Sequence, residues 1–399
     1  MSLPAPRQPA ERRKLALLGS TGSIGRNALE VVAGFPDRFE VVALAAGDNA
    51  AAMAAQVALF HPRLVSMRTE SAVAELRQRL RQAGVEPPEL HWGAEGLLAA
   101  ATGGADLVLA ATVGVAALRA IAAALRRGCD LALANKEALV VAGSLLMPEA
   151  RRSGAVVLPV DSEHSAIHQC LAAGGAFERL ILTASGGPFL RHTPEQMAVV
   201  TPAEALRHPT WSMGTRVTLD SATLMNKGFE VIEACHLFQA AESQVEVVIH
   251  PQSLVHSMVE FPDGSMLAQL GPADMRLPIQ YALTWPDRLP NPRMRLKLEM
   301  AGNLEFEPPD PGRFPCLSLA RAAFRAGQGA PAVLNAADEV AVAAFLEGTI
   351  AFTGIAGVVE QALERLGAPA VPDLDAVLAV DREARRVAQG LIGKVGSRV

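Results

Sequence analysis

Lys14-Leu15-Ala16-Leu17-Leu18-Gly19-Ser20-Thr21-Gly22-Ser23-Ile24-Gly25 is the stretch on which the reading of the whole chain turns. Leu15 to Leu18 is a short unbroken apolar run, as expected of a strand buried on both faces, and Ile24 to Ala33 carries helical periodicity. Between them the glycines recur as G-x-x-G-x-x-G, which differs from the G-x-G-x-x-G of the common dinucleotide fingerprint. Glycines in such a turn let the backbone approach a pyrophosphate. They also set that anion at a helix N-terminus, where free N–H groups and the helix dipole favour negative charge. A turn without a ligand is the competing reading.

Outward from this turn the pattern repeats. Phe39 to Ala45, Leu64 to Met67, Leu107 to Ala110 and Leu131 to Ala134 read as strands, each followed by a helical stretch such as Ala50 to Leu59. Apolar strands alternating with helices imply a parallel sheet covered on both faces. After a strand at Val156 to Val160 the polar motifs become dense, and Ser257 to Phe261 and Met266 to Leu270 flank an Asp263-Gly264 hairpin turn. Prolines recur from Leu289 to Pro315, and four helical stretches follow: Leu317 to Arg325, Ala332 to Glu347, Gly354 to Leu366 and Leu374 to Gly390. The expected fold is α/β in four parts. A Rossmann-like parallel sheet occupies 1–155, and an α/β catalytic domain with a mixed sheet and a lid loop near 206–214 occupies 156–288. A proline-rich linker (289–315) and a C-terminal helical bundle (316–399) complete it.

Composition bounds the function. The 399 residues carry a net charge of −5 without a long basic run, which argues against a nucleic-acid partner. Cys129, Cys170, Cys235 and Cys316 form no C-x-x-C pair, so a reducing, cytoplasmic setting is expected. The stretch through Arg13 has no signal-peptide core, and the apolar run Leu107 to Leu118 is too short to span a bilayer, so no membrane partner is expected. Aromatic residues make up only 4% of the chain, and Ala, Val and Leu replace them in the expected core.

Several segments carry chemistry. At strand spacing, Asp161 and Glu163 put two carboxylates on one face, and so close a pair calls for a hard divalent cation or a shared proton. Acids decorating a helix N-terminus are the alternative. Ser221, Asn226, Lys227, Glu230 and Glu233 crowd one helical segment and mix oxyanion donors with carboxylates. A polar outer helix face is the bland alternative there. The Thr183-Ala184-Ser185-Gly186-Gly187 turn would suit an anion, although by itself it is only a loop. Asn135-Lys136-Glu137 ends a strand where open α/β sheets bind ligands, with a plain capping turn as the alternative. Trp211, on a loop flanked by Pro209 and Gly214, suits a lid, against a core tryptophan. His164 and His168 have i, i+4 spacing but lack the H-E-x-x-H order of a zinc helix. Asp48, after the second strand, favours a free ribose 2′-OH and hence NAD, whereas Arg68 after the third can pair a 2′-phosphate or is a solvated surface charge.

GSTGSIG, ANKE, LPVDSEHSAI, TASGGPF, RHPTWSMG, DSATLMNKGFEVIEA, HPQSLVHSMVEF and DGSMLAQLGPADMRLPI occur in that order. Together they closely resemble the 1-deoxy-D-xylulose 5-phosphate reductoisomerase family over nearly the whole chain. The resemblance implies an NADPH-dependent, divalent-metal enzyme of isoprenoid biosynthesis, acting on a phosphosugar with Mg²⁺, Mn²⁺ or Co²⁺, and a homodimer. It implies that Asp161, Glu163 and Glu230 are metal ligands and that Ser185, Ser221, Asn226 and Lys227, with His208 nearby, grip the phosphate. Ser162 and Lys136 resemble the contacts to substrate oxygens, and Trp211 and Met213 resemble the lid; Lys136, Glu163, Trp211 and His208 form the implied catalytic set. Thr21, Gly22, Ser23 and Ile24 resemble the pyrophosphate loop, Gly47 and Asn49 the adenosine site, and Met275 the packing partner of the nicotinamide; Asn135, Glu137 and Gly214 join the implied cofactor contacts. Asp48 departs from the basic residue often found at its position. The rival readings are a plain NAD(P)-dependent dehydrogenase of a phosphorylated sugar, which needs no metal acids, and a nucleotide-binding relative without turnover.

Overall fold

The computed structural model describes residues 12–211, 214–291 and 294–395, and its first half alternates strand and helix as the apolar runs require. The order is β1 (Arg13–Leu18), α1 (Ser23–Ala33), β2 (Phe39–Ala45), α2 (Ala50–Phe60), β3 (Leu64–Met67), α3 (Glu70–Gln82), β4 (Glu89–Trp92) and α4 (Gly93–Thr102). Then come β5 (Leu107–Ala110), α5 (Leu118–Arg126), β6 (Asp130–Leu133), α6 (Lys136–Ser153) and β7 (Val157–Pro159). The strands form one parallel sheet, β4-β3-β2-β1-β5-β6-β7. Leu15 to Leu18 are buried from both sides, which is why β1 is apolar without alternation. β4 escapes a hydrophobic reading because, as an edge strand, it leaves Glu89 and Trp92 exposed.

The chain reverses its direction of winding between β1 and β5, which opens a crevice at their carboxyl ends. Gly19 sits there at φ +93°, so near the turn after β5 that a Cβ would lie 2.4 Å from the Ala111 carbonyl oxygen. A Cβ on Gly25 would meet the Gly19 carbonyl oxygen at 2.3 Å. The glycine spacing is therefore set by close backbone contact between strand, turn and helix.

The boundary expected at residue 155 falls one strand early, because Val157–Pro159 pairs with Leu131–Leu133 and extends the parallel sheet. Beyond it run α7 (Ser162–Leu171), β8 (Arg179–Ala184), α8 (Pro194–Ala198), α9 (Pro202–Ala205), α10 (Thr215–Ala222) and α11 (Met225–Phe238). β9 (Val245–Ile249), β10 (Val255–Glu260), β11 (Met266–Leu270) and α12 (Arg276–Thr284) follow. The second sheet, β11-β10-β8-β9, is mixed: β8 and β9 are parallel, and β10 runs against both β8 and β11. The β10–β11 hairpin turns at Gly264, with φ +81°. α12 returns to the first sheet, burying Ile279, Ala282 and Leu283 in its core, while Arg276 reaches Glu30 of α1 at 2.6 Å. The segment 156–288 thus shares its core with the first sheet.

The proline-rich stretch is anchored at Phe306 and Glu307. Glu307 bridges to Ile249, and Phe306 stacks on His250 at 4.7 Å between ring centroids. Pro315 opens α13 (Pro315–Ala326), since a proline in the first turn forfeits no helical hydrogen bond; the bundle begins one residue before the expected boundary. In that bundle α14 (Ala330–Leu346) lies buried between α15 (Gly354–Leu366) and α16 (Leu374–Val395). Among the described residues no helix is long and apolar enough to cross a membrane.

The close contacts at the first turn predict an asymmetry between glycines. Gly25→Ala should lower unfolding free energy by about 1–3 kcal/mol, because the atoms it meets are backbone. Gly47→Ala, whose Cβ meets nothing within 4 Å, should change it by less than about 0.5 kcal/mol. Urea denaturation of both variants checks this.

Candidate active site

The carboxyl ends of β6 and β7 deliver the first charged groups. Asn135 caps α6 by accepting from Ala138 N (2.8 Å), and its amide donates to the carbonyls of Thr112 (2.5 Å) and Gly114 (2.9 Å). This fixes the turn from which Lys136 enters the site. Asp161 and Glu163 do come together, but not as neighbours on a strand. β7 ends at Pro159, Asp161 is the N-cap of α7, and Ser162 and Glu163 occupy its first turn. Asn226, Lys227 and Glu230 come from one face of α11, where residues three and four apart are neighbours.

The side chains interlock. Lys136 Nζ lies 2.9 Å from Asp161 Oδ2, 2.5 Å from Asn226 Oδ1 and 3.4 Å from Glu230 Oε1. Lys227 Nζ donates to Glu163 Oε1 at 3.0 Å and to Glu230 Oε2. Asn226 Nδ2 donates to Glu230 Oε1 at 2.6 Å, and Ser162 Oγ to Glu163. Burial, then the charge of Glu163, pushes the Glu230 carboxyl up to about 7. Burial also opposes ionisation of Asp161, but Lys136 and His164 outweigh it and hold that carboxyl well below its usual range. Both lysines are held above their ordinary values: burial opposes their charge, and the surrounding acids prevail.

Asp161, Glu163 and Glu230 each offer an oxygen, all within 4.8 Å of one another, and Asp161 Oδ2 is buried without a geometrically sound hydrogen bond. Three hard oxygens crowded together, their charge offset here by Lys136 and Lys227, fit a hard divalent cation. A second cluster, Asp161, His164 and Glu233, has its histidine and Glu233 buried, with His164 Nδ1 3.3 Å from Glu233 Oε2 and 3.6 Å from Asp161 Oδ2. Burial opposes the charge of His164, yet Glu233 and Asp161 push its pKa up to about 9, so the ring stays protonated and braces the acids instead of ligating. His168 is spoken for by the Tyr281 hydroxyl at 2.8 Å, and burial lowers its pKa to about 4, so the two histidines share no ligand site.

The opposite wall suits an anion. Gly187, at φ +68°, lets the Ser185 turn approach the Ser221 carbonyl, which a Cβ would meet at 2.8 Å. His208 Nδ1 accepts from Thr210 N (3.1 Å) and Trp211 N (2.9 Å), so its proton sits on Nε2, 2.9 Å from Ser185 Oγ. Burial lowers its pKa and keeps it neutral. Trp211 is half-buried, its ring 5.9 Å from that of His256.

One cavity is lined by Ser23, Ile24, Lys136, Asp161, Ser162, Glu163, Ser185, His208, Trp211, Gly214, Ser221, Asn226, Lys227, Glu230 and Met275. Thr21, Gly22, Gly47 and Asn49 are outside this lining, further along the same carboxyl edge. Asn135 and Glu137 are also outside it: both are buried, and Glu137 accepts from Gly114 N (3.1 Å) and Arg216 Nη1 (2.8 Å). They hold the turn. Met213 lies outside the described residues. Ser253 and His256 line the cavity although the sequence reading gave them no role; polar residues beside and within the apolar β10 were the available signal.

Because Glu230 must lose its proton to bind a cation, Mn²⁺ should bind about tenfold more weakly at pH 6 than at pH 8, as measured by calorimetry on the metal-free protein. Equal affinity at the two pH values would contradict the crowding of these acids.

Comparison with known proteins matches three family models: 1-deoxy-D-xylulose 5-phosphate reductoisomerase over residues 15–143, its C-terminal domain over 157–238, and the DXP reductoisomerase C-terminal domain over 270–387. The 1-deoxy-D-xylulose 5-phosphate reductoisomerase of Moorella thermoacetica is 54% identical over 95% of this chain and 99% of its own length. That of Rhodospirillum centenum is 51% identical over 95% of this chain and 94% of its own. The Zymomonas mobilis enzyme, solved in complex with NADPH, superposes with a TM-score of 0.89 at 43% identity, covering 96% of this chain and 99% of that one. A reductoisomerase solved with NADPH, fosmidomycin and magnesium gives 0.89 at 42% identity, covering 96% and 98%. With this agreement along nearly its full length, the chain belongs to the 1-deoxy-D-xylulose 5-phosphate reductoisomerase family.

Proposed function

We propose that Asp161, Glu163 and Glu230 hold a divalent cation, Mg²⁺ or Mn²⁺ with Co²⁺ also suited to three oxygens, beside an NADPH seated on the loop after β1. The chain catalyses the NADPH- and metal-dependent rearrangement and reduction of 1-deoxy-D-xylulose 5-phosphate to 2-C-methyl-D-erythritol 4-phosphate. When bound, the cation supplies Lewis acidity to the oxygens of an α-hydroxyketone and NADPH supplies a hydride for the rearranged aldehyde. The observation that carries this reading is that the three carboxylates, the phosphate-type donors and the end of the cofactor loop, Ser23 and Ile24, share one cavity. A plain dehydrogenase has no use for the carboxylates.

The remaining work falls to side chains. Gly22 caps α1 without a side-chain bond, leaving first-turn N–H groups free for a pyrophosphate at Thr21, Gly22, Ser23 and Ile24. Gly47 and Asn49 lie on the adenosine side, and Met275 forms an apolar wall for the nicotinamide. Lys136 and Ser162 contact substrate oxygens. Ser185, Ser221 and neutral His208 donate to the phosphate. Lys227 and Asn226 are tied to carboxylates here, and once those charges are neutralised their donors are free to join that grip. Trp211 closes over the bound substrate and excludes water. A homodimer, with edge strand β11 as the face a second copy would cover, and a cytoplasmic setting belong to the same reading; Met266 and Leu267 are exposed on β11.

With 1-deoxy-D-xylulose 5-phosphate, NADPH and Mg²⁺, NMR should identify a branched product, and EDTA should abolish its formation. Turnover that survives complete chelation, or an unbranched product, would overturn the assignment. Glu163→Gln should lower kcat by about 100-fold or more while NADPH affinity stays within twofold.

A further inference from the structure

The dinucleotide reading leaves open which residue recognises the ribose 2′-phosphate, since the loop after β2 carries an acid, Asp48. The sheet order β3-β2-β1 aligns three carboxyl ends: β1 opens onto the pyrophosphate loop, β2 onto Gly47-Asp48-Asn49, and β3 onto Arg68-Thr69. The two outer turns are joined through Arg68 N, which donates to the Gly47 carbonyl at 3.2 Å. The Arg68 guanidinium pairs with the Asp48 carboxylate. Thr69 Oγ1 donates to Asp48 Oδ1 at 3.3 Å and lies 3.1 Å from Ser71 Oγ. An anionic group is therefore already held here by a guanidinium and a hydroxyl, next to the strand end where a Rossmann-type sheet places the adenosine ribose. In front of Gly47 the space is open, with nothing within 4 Å of an added Cβ.

We propose that Arg68, with Thr69 and Ser71, reads the 2′-phosphate of NADPH, and that the Asp48 carboxylate is an internal competitor for the same place. This rests on the dinucleotide reading above. The exchange is feasible because the pair is loosely committed: the side chains of Arg68 and Asp48 are 71% and 40% exposed, and exposed ion pairs contribute little net stability. A phosphate dianion offers the guanidinium fork two acceptors and more charge than a carboxylate, so it wins the arginine. With NADH bound, the arginine keeps Asp48, whose other oxygen can accept from the ribose 2′-OH. The chain should therefore prefer NADPH over NADH by a smaller margin than a basic residue at position 48 would give.

Calorimetric binding to the full-length, metal-free protein tests this without turnover, using NADPH, NADH, adenosine 2′,5′-bisphosphate and 5′-AMP. Arg68→Ala should weaken NADPH and the bisphosphate about tenfold or more, with NADH and AMP within twofold. Arg68→Lys, which keeps the charge but loses the fork, should fall between, and Asp48→Asn should tighten NADPH about threefold or more. The inference is overturned if Arg68→Ala leaves NADPH binding unchanged, or weakens NADPH and NADH equally. Failure of the wild-type protein to bind any dinucleotide would overturn the underlying reading and this inference with it.

Discussion

Three carboxylates, Asp161, Glu163 and Glu230, are held together where little water can separate them, and two ammonium groups keep them there. The arrangement is under electrostatic load: Glu230 is fully buried, and burial with repulsion from Glu163 pushes it up to about 7. Lys136 and Lys227 lie among acids that all need their charge, with His164 bracing from behind. Such a cluster is costly to assemble, and a divalent ion among the three acids would relieve repulsion that the lysines only balance.

Everything else in the fold is placed to meet this demand. The carboxyl edge of the parallel sheet supplies Lys136 and Asp161 from adjacent turns, and α11 brings Asn226, Lys227 and Glu230 across from the second part of the chain. The C-terminal bundle acts as the buttress. Arg216 of α10 is deeply buried and reaches Glu137 (2.8 Å), Asn335 (2.7 Å) and Glu339 (2.5 Å), and Arg385 of α16 reaches Glu339 (2.6 Å). One guanidinium thus joins the turn carrying Lys136, the helix carrying Ser221 and the helical tail, using the several donors that a planar fork provides.

The strand–turn–helix at Arg13–Ala33 was legible because a doubly buried strand must be apolar throughout and the tight approach of Gly19 to Ala111 admits no side chain. The strands at Phe39–Ala45, Leu64–Met67 and Leu107–Ala110 were legible for the same reason. Edge strand β4 was not, since it buries too little to leave a pattern. Asp161 and Glu163 could be paired from sequence, but through a strand geometry the fold does not use; the helix N-cap brings them together instead. Glu233 was visible as one of the polar residues crowding α11, but its pairing with His164 was not, because that contact joins residues far apart in the chain.

By itself the sequence determined the alternation of elements, the position of the glycine turn and the types of donor available, all of which depend on neighbours within a few residues. It also carried the order of motifs by which the family is recognised. The tertiary structure alone decided which acids come within reach of one another, that His164 lies between Asp161 and Glu233, and that Arg68 faces Asp48. Lys136 and Glu230 stand 94 residues apart in the chain. Burial and the neighbouring acids shift both groups, and neither influence exists until the sheet, α11 and the helical tail have closed around them.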